Sequence, residues 1–324
     1  MFTTMKFTLL LINTIVVVAA AHLLDPKSIE KKEGNLRSVG DPLLTKTLVI
    51  IIGNLRGGEK AWSSLYENYL DPSTADLALM IGKPRAGYTN SSITKRAKYY
   101  WEVDEYDDWA DAIDLIDGPG WRTSFLAPIR EAKEKEPWDE IGNKMGGHNV
   151  LGGIKGILGS GAIIFMFRWF LSQKLMEFNL VEKYDRFVIT RADHYYSCPY
   201  DVRQLDATKV WSPLGEGYKG ITDRHLIVSA RHVLTALDIL PHMISNFNDY
   251  ADCLLAPCNP ELVIARRFEV GGLEIDHFPR TFFTCAAEGD TPSRWLQPGK
   301  LLEEGVLQKY PHEYVAARTN CQRL

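Results

Sequence analysis

Apolar residues along the chain gather in short continuous runs, separated by segments of helical period and by glycine-rich loops. Thr47-Leu48-Val49-Ile50-Ile51-Ile52 is too short for an isolated helix and predicts a strand buried on both faces. Gly53-Asn54-Leu55-Arg56-Gly57-Gly58 follows, then Lys60 to Leu70 with apolar positions at helical spacing, so the unit reads strand, glycine loop, helix. Asp76 to Gly82 predicts the second strand. The stretch Trp101 to Asp117 holds Asp104, Glu105, Asp107, Asp108, Asp111, Asp114 and Asp117, lacks the spacing of a calcium loop, and predicts an exposed amphipathic helix.

Ala162 to Leu171 is almost wholly apolar, but it is well short of the ~20 residues of a membrane span and contains Arg168. It predicts a central buried helix that starts at Gly159-Ser160-Gly161 and runs to about Glu177. A buried Arg168 requires an anionic partner, either a structural carboxylate or a ligand phosphate. Phe187 to Thr190 has strand composition and ends abruptly in Arg191-Ala192-Asp193. Val210 to Pro213 reads as another short strand. The glycine-rich loop Leu214 to His225 then leads into a helix expected over Leu226 to Leu240, with Thr222 or Asp223 as its cap. Asn259-Pro260-Glu261 opens a Pro-initiated helix, and Leu273 to Phe278 alternates like a late strand. The final segment carries no readable chemistry.

A chain of 324 residues, 45% of them hydrophobic, can bury a full core and fits one large α/β domain or two small ones, of which a single α/β domain is the expectation. The net charge of -4, with both signs interspersed, offers no broad cationic field and argues against a nucleic-acid partner. Lys6 followed by an apolar run to Ala21 and the small residues Ala19-Ala20-Ala21 predicts a signal peptide or an uncleaved signal anchor over residues 1–24. Polar, aperiodic residues 25–44 read as a stem or linker, and residues 45–324 as the folded domain. In a eukaryotic cell either reading sends the domain to the secretory pathway, as a Golgi or ER lumen protein on a type II anchor or as a secreted one. There Asn90-Ser91-Ser92 can accept a glycan. Five cysteines suit a compartment that allows disulfides, match no zinc spacing, and leave at least one thiol unpaired within the chain.

Two strand ends carry the candidate chemistry. After the first strand, Gly53 and Gly57 let the backbone approach a phosphate, the following helix adds its positive end, and Arg56 adds a full charge; an ordinary tight turn has the same composition. The spacing departs from the Gly-x-Gly-x-x-Gly dinucleotide fingerprint. After the later strand, Asp193 can hold a divalent metal on a diphosphate and Arg191 can neutralise phosphate oxygens, or the two can pair with each other. In the loop before Leu226, Asp223 is placed to take a proton from a hydroxyl, with Arg224 and His225 beside it.

Taken in order, Val49 to Gly57, Trp62, Asp76 to Leu79, Gly159 to Ala162, Val188 to Asp193, Gly220 to His225 and Asn259 to Glu261 resemble the glycosyltransferase-like proteins of the GT-A, nucleotide-diphospho-sugar transferase fold. The resemblance covers most of residues 45 to 283. It implies a mixed, mainly parallel sheet flanked by helices, and a nucleotide-diphosphate sugar as donor to a glycan hydroxyl acceptor. In that family a strand-terminal Asp-x-Asp holds the metal, and Arg191-Ala192-Asp193 stands at the corresponding place with the first acid replaced. The resemblance therefore implies Asp193 as the remaining ligand of a Mn2+ or Mg2+ ion, leaves a metal-independent enzyme open because Arg191 can supply charge, and puts Gly53, Asn54, Arg56 and Gly57 near the nucleotide. Asp223 is the expected acceptor-side catalytic acid or base, and replacing Asp193 by Ala is expected to abolish transfer and leave folding intact. The alternative is a non-catalytic protein that binds a glycan or a nucleotide sugar.

Overall fold

The computed structural model describes residues 45–83, 90–135, 149–255, 258–288, 290 and 299–324. The expected signal or anchor and the stem lie outside the described residues. Among the described residues ten strands form two sheets: β1 Thr47–Gly53, β2 Asp76–Gly82, β3 Tyr99–Val103, β4 Arg186–Thr190, β5 His194–Tyr196, β6 Val210–Pro213, β7 Leu226–Ser229, β8 Ile275–Phe278, β9 Phe282–Ala286 and β10 Leu307–Gln308. Seven make the large sheet, in the order β3-β2-β1-β4-β7-β6-β8, and the others make a small sheet, β10-β9-β5. In the large sheet β3, β2, β1 and β4 run parallel, β7 is antiparallel to both β4 and β6, and β6 is parallel to β8. The mixed, mainly parallel α/β sheet flanked by helices is thus present.

Strand periodicity explains the layers. Leu48 and Ile50 of β1 face one core with Phe165, Met166, Leu171 and Leu175, while Val49 and Ile51 face a second core with Trp62, Leu65 and Tyr69. Each successive side chain leaves the strand on the opposite face, so a run with no polar residue needs cover on both. The helix Gly161–Glu177 provides that cover on one side, and the helix Gly58–Leu65 with its continuation through Leu70 on the other. No helix among the described residues is long and apolar enough to cross a membrane.

Two expectations change. Leu226–Ser229 is a strand, and the helix begins only at Ala230 and ends at Leu237. Leu226, Ile227 and Val228 are all buried and pair with β4, so two-sided burial between strands outweighs a helical continuation. Thr222 and Asp223 therefore cap no helix; Ser229 holds the N-cap position. The acidic tract also divides, with Trp101 and Val103 buried in β3 and the helix confined to Trp109–Asp117, where Asp108 caps the Ala110 N–H at 2.9 Å. Cys198 is bonded to Cys321 and Cys253 to Cys258, while Cys285 is a buried free thiol.

Candidate functional site

β1 and β4 are hydrogen-bonded parallel neighbours, so their carboxyl ends open on the same edge. The loop after β1 and the turn after β4 touch there. Gly57, at φ +83°, is so close to that turn that a Cβ on it would stand 2.9 Å from the Ala192 carbonyl oxygen and 2.9 Å from Asp193 Cα. Only glycine combines that left-handed backbone with that approach. The Gly57 N–H, at the mouth of the helix Gly58–Leu65, donates to Asp290 Oδ2 at 3.0 Å, so a protein carboxylate already occupies this backbone donor. Asn54 lies on the side of β2, its Oδ1 2.9 Å from where a Cβ on Gly82 would be. Gly53, at φ +98°, borders open space.

Asp193 sits where the large sheet passes into the small one, between the end of β4 and the start of β5. Its carbonyl accepts the Cys285 N–H of β9 at 2.8 Å. Its carboxylate is buried and closed by Arg191, with Nε to Oδ1 at 2.8 Å and Nη2 to Oδ2 at 2.6 Å. Burial alone would raise the Asp193 pKa, but the charge and hydrogen bonds of Arg191 hold it well below the usual carboxylate range. A divalent cation needs carboxylate oxygens with free lone pairs converging on one point. Both Asp193 oxygens are engaged by Arg191, and among the described residues no three His, Cys, Asp or Glu side chains converge as a cation site. The donor set does not fit the expected Mn2+ or Mg2+.

The C-terminal segment, silent in the sequence, completes this edge. Lys309 follows β10 and is 8% exposed, and its N–H donates to the Thr284 carbonyl at 3.2 Å. Burial lowers the pKa of its ammonium, Asp193 opposes that, and Arg191, Arg224 and Arg56 lower it further. Lys309 is therefore within electrostatic reach of all three arginines. Arg224 is saturated: Nη1 donates to Glu313 Oε1 at 3.1 Å, Glu216 Oε2 lies 3.7 Å away, and the Tyr310 ring centre lies 4.7 Å from the guanidinium carbon. Glu313, almost wholly buried, also faces Arg280 at 3.4 Å and accepts the Thr284 N–H at 2.6 Å. His312 bonds Glu216. This clamp joins the helix Pro311–Cys321 to the loop before β7.

Asp223 belongs to that loop. Its Oδ1 is 3.9 Å from Arg224 Nε, and its charge acts on Arg191, as does that of Asp193. Arg168, 1% exposed, donates through Nη2 to the Asp223 carbonyl at 2.8 Å, so its hydrogen-bonded anchor is a backbone oxygen where a carboxylate or a ligand phosphate was expected, with the charges of Asp223 and Glu261 acting on it. Glu261 is the neighbouring acid: burial, then the charge of Asp223, pushes its carboxyl up to about 7. Sequence reasoning read Glu261 only as part of a helix start; the signal for its chemistry is the approach of the Gly220 loop, whose Ile221 N–H donates to the Glu261 carbonyl at 3.0 Å. His225 turns away into the core, its Nδ1 2.9 Å from Thr190 Oγ1 and its Nε2 3.3 Å from the Tyr69 hydroxyl. Burial, with the charge of Arg280, lowers His225 to about 3, so it is a neutral core group.

A separate cavity of about 340 Å³, lined by Trp169, Met176, Leu234 and Arg267 among others, contains none of these residues. No model of a known protein family matches the chain, and no curated protein matches it.

Proposed function

We propose that the chain is a GT-A-like glycosyltransferase of the secretory pathway, moving a sugar from a nucleotide-diphosphate sugar to a glycan hydroxyl. One observation carries this reading: the glycine-arginine loop after β1 and the Arg191-Ala192-Asp193 turn after β4 are in backbone contact at one sheet edge. Ligands of open α/β sheets bind at such edges. In the reaction the acceptor oxygen forms a bond to the anomeric carbon while the bond to the diphosphate breaks, and the diphosphate leaves with the electron pair. Arg191 and Arg56 supply positive charge for that leaving group, and Asp193 fixes the direction of Arg191. The acceptor proton passes to Asp223, with Glu261 the neighbouring acid poised near neutrality.

A screen of nucleotide sugars by thermal shift and donor hydrolysis tests the reading. A true donor raises stability by about 2.7 kcal/mol at a hundredfold excess over its Kd and is consumed when acceptor is added. If no nucleotide sugar stabilises the fold, the transferase reading fails. Stabilisation without consumption favours the binding-protein alternative, which the closed Arg191–Asp193 pair also supports.

A further inference from the structure

We infer that this edge holds a diphosphate on side-chain cations, with Lys309 and Arg56 in front and Arg191 held by Asp193, and that binding requires no divalent metal ion. The inference rests on the donor reading above and adds to it the means of charge neutralisation. Lys309 is more than nine-tenths buried, yet among the described residues no carboxylate lies within ion-pair distance of its ammonium. The Arg56 guanidinium likewise has no side-chain partner among the described residues, since only its carbonyl is engaged, by the Trp62 indole at 3.1 Å. The other basic groups of the region are matched: Arg191 by Asp193, Arg224 and Arg280 by Glu313.

The Lys309 side chain is largely buried, its ammonium lies 5.4 Å from the Tyr310 ring centre with no acid in ion-pair contact among the described residues, and an anion of matching charge completes it. The backbone brings the three segments together: Gly57, next to Arg56, packs against Ala192 and Asp193, and Cys285 donates its N–H to the Asp193 carbonyl and pairs with Gln308, next to Lys309, so the anion belongs at the junction of the two strand-end motifs. Two linked phosphoryl groups fit that demand better than one, because the cations come from three separate segments, at positions 56, 191 and 309. A metal ion placed among them would add positive charge to positive charge. The site therefore does through lysine and arginine what an acid pair does through a bridging cation.

Isothermal titration calorimetry of the full chain against inorganic pyrophosphate in excess EDTA tests this. Pyrophosphate is expected to bind under these conditions, and Lys309→Met and Arg56→Met are each expected to weaken it by about tenfold or more, the loss of one charge-assisted contact. Lys174→Met, at an exposed lysine paired with Glu177, is expected to leave it unchanged. Arg56→Met, in a surface loop, keeps the test valid if the buried Lys309 variant does not fold. Binding that appears only when Mn2+ replaces EDTA overturns the inference, as does native affinity in both Met variants or competition by sulfate at equal concentration. The two proposals separate cleanly: transfer that occurs only with Mn2+ removes this inference and keeps the transferase, while pyrophosphate binding in EDTA without any nucleotide-sugar binding does the reverse.

Discussion

Arg191 grips Asp193 at two points, 2.8 Å and 2.6 Å, across a single intervening residue at the junction of the two sheets. The pair converts a position expected to bind metal into a closed, mostly buried ion pair. It also makes Asp193 a structural residue as well as a candidate site residue.

Asp193→Ala is accordingly expected to lose stability as well as activity, contrary to the expectation from sequence that folding is untouched. Removing one member of a buried pair leaves the other charge uncompensated, at about 3 kcal/mol. Arg191→Met combined with Asp193→Leu should recover most of that loss and none of the activity. Urea unfolding of the two single variants and the double variant measures the coupling. Strictly additive losses would mean the pair contributes nothing.

Gly57→Ala and Gly53→Ala separate close approach from backbone strain. Both positions have positive φ, +83° and +98°, but only Gly57 faces atoms at 2.9 Å, and these belong to backbone that cannot swing aside. Gly53→Ala should cost about 1 kcal/mol, and Gly57→Ala more than 2 kcal/mol together with any ligand-induced thermal shift. Equal melting temperatures for the two variants would show that the loop and the turn are not in contact.

The disulfide between Cys198 and Cys321 ties the end of the helix Pro311–Cys321 to the segment after β5, across 123 residues. That helix carries Glu313 and begins just after Lys309. A Cys198→Ser, Cys321→Ser double variant is expected to lose about 3 kcal/mol in denaturant unfolding. It should also weaken anion binding, because the C-terminal clamp is held at one end by this bond. Cys253→Ser, in a bridge spanning only 5 residues, should cost less, about 2 kcal/mol, and leave anion binding unchanged.

The strands β1, β2 and β4 were legible because two-sided burial writes an uninterrupted apolar run, and the helix Gly161–Glu177 because Ala162 to Leu171 is apolar but for Arg168. β7 was not legible, since Leu226 to Ser229 runs directly into a helical pattern and only its pairing with β4 distinguishes the two. Within the site, Gly57, Arg191 and Asp193 were visible because local motifs carry them. Lys309, Glu313 and Glu261 were not, because their chemistry arises from burial and from charges more than thirty residues away in the chain. His225 failed in the other direction: adjacency to Asp223 suggested a cleft residue, but the turn into β7 carries its ring beneath Thr190.

Glu261 makes stability depend on pH with a definite sign. Its carboxyl titrates near 4.5 when unfolded and at about 7 in the fold, raised by burial first and by the charge of Asp223 second; Arg224 opposes the rise and Glu216 adds to it. Between those values the folded chain holds a proton that the unfolded chain has lost, so this group's contribution falls as pH rises from 4.5 to 7 and is level above that. Glu261→Gln keeps a neutral, hydrogen-bonding side chain at every pH. The variant should match the native protein near pH 4.5 and exceed it by roughly 2 kcal/mol at pH 8, a figure discounted for partial exposure. Taking the difference between the two proteins cancels carboxylates elsewhere, such as Asp193, whose depressed pKa acts in the opposite direction. Thermal unfolding of both proteins from pH 4.5 to 8 measures it, and curves that stay parallel across that range would place Glu261 in solvent, away from Asp223.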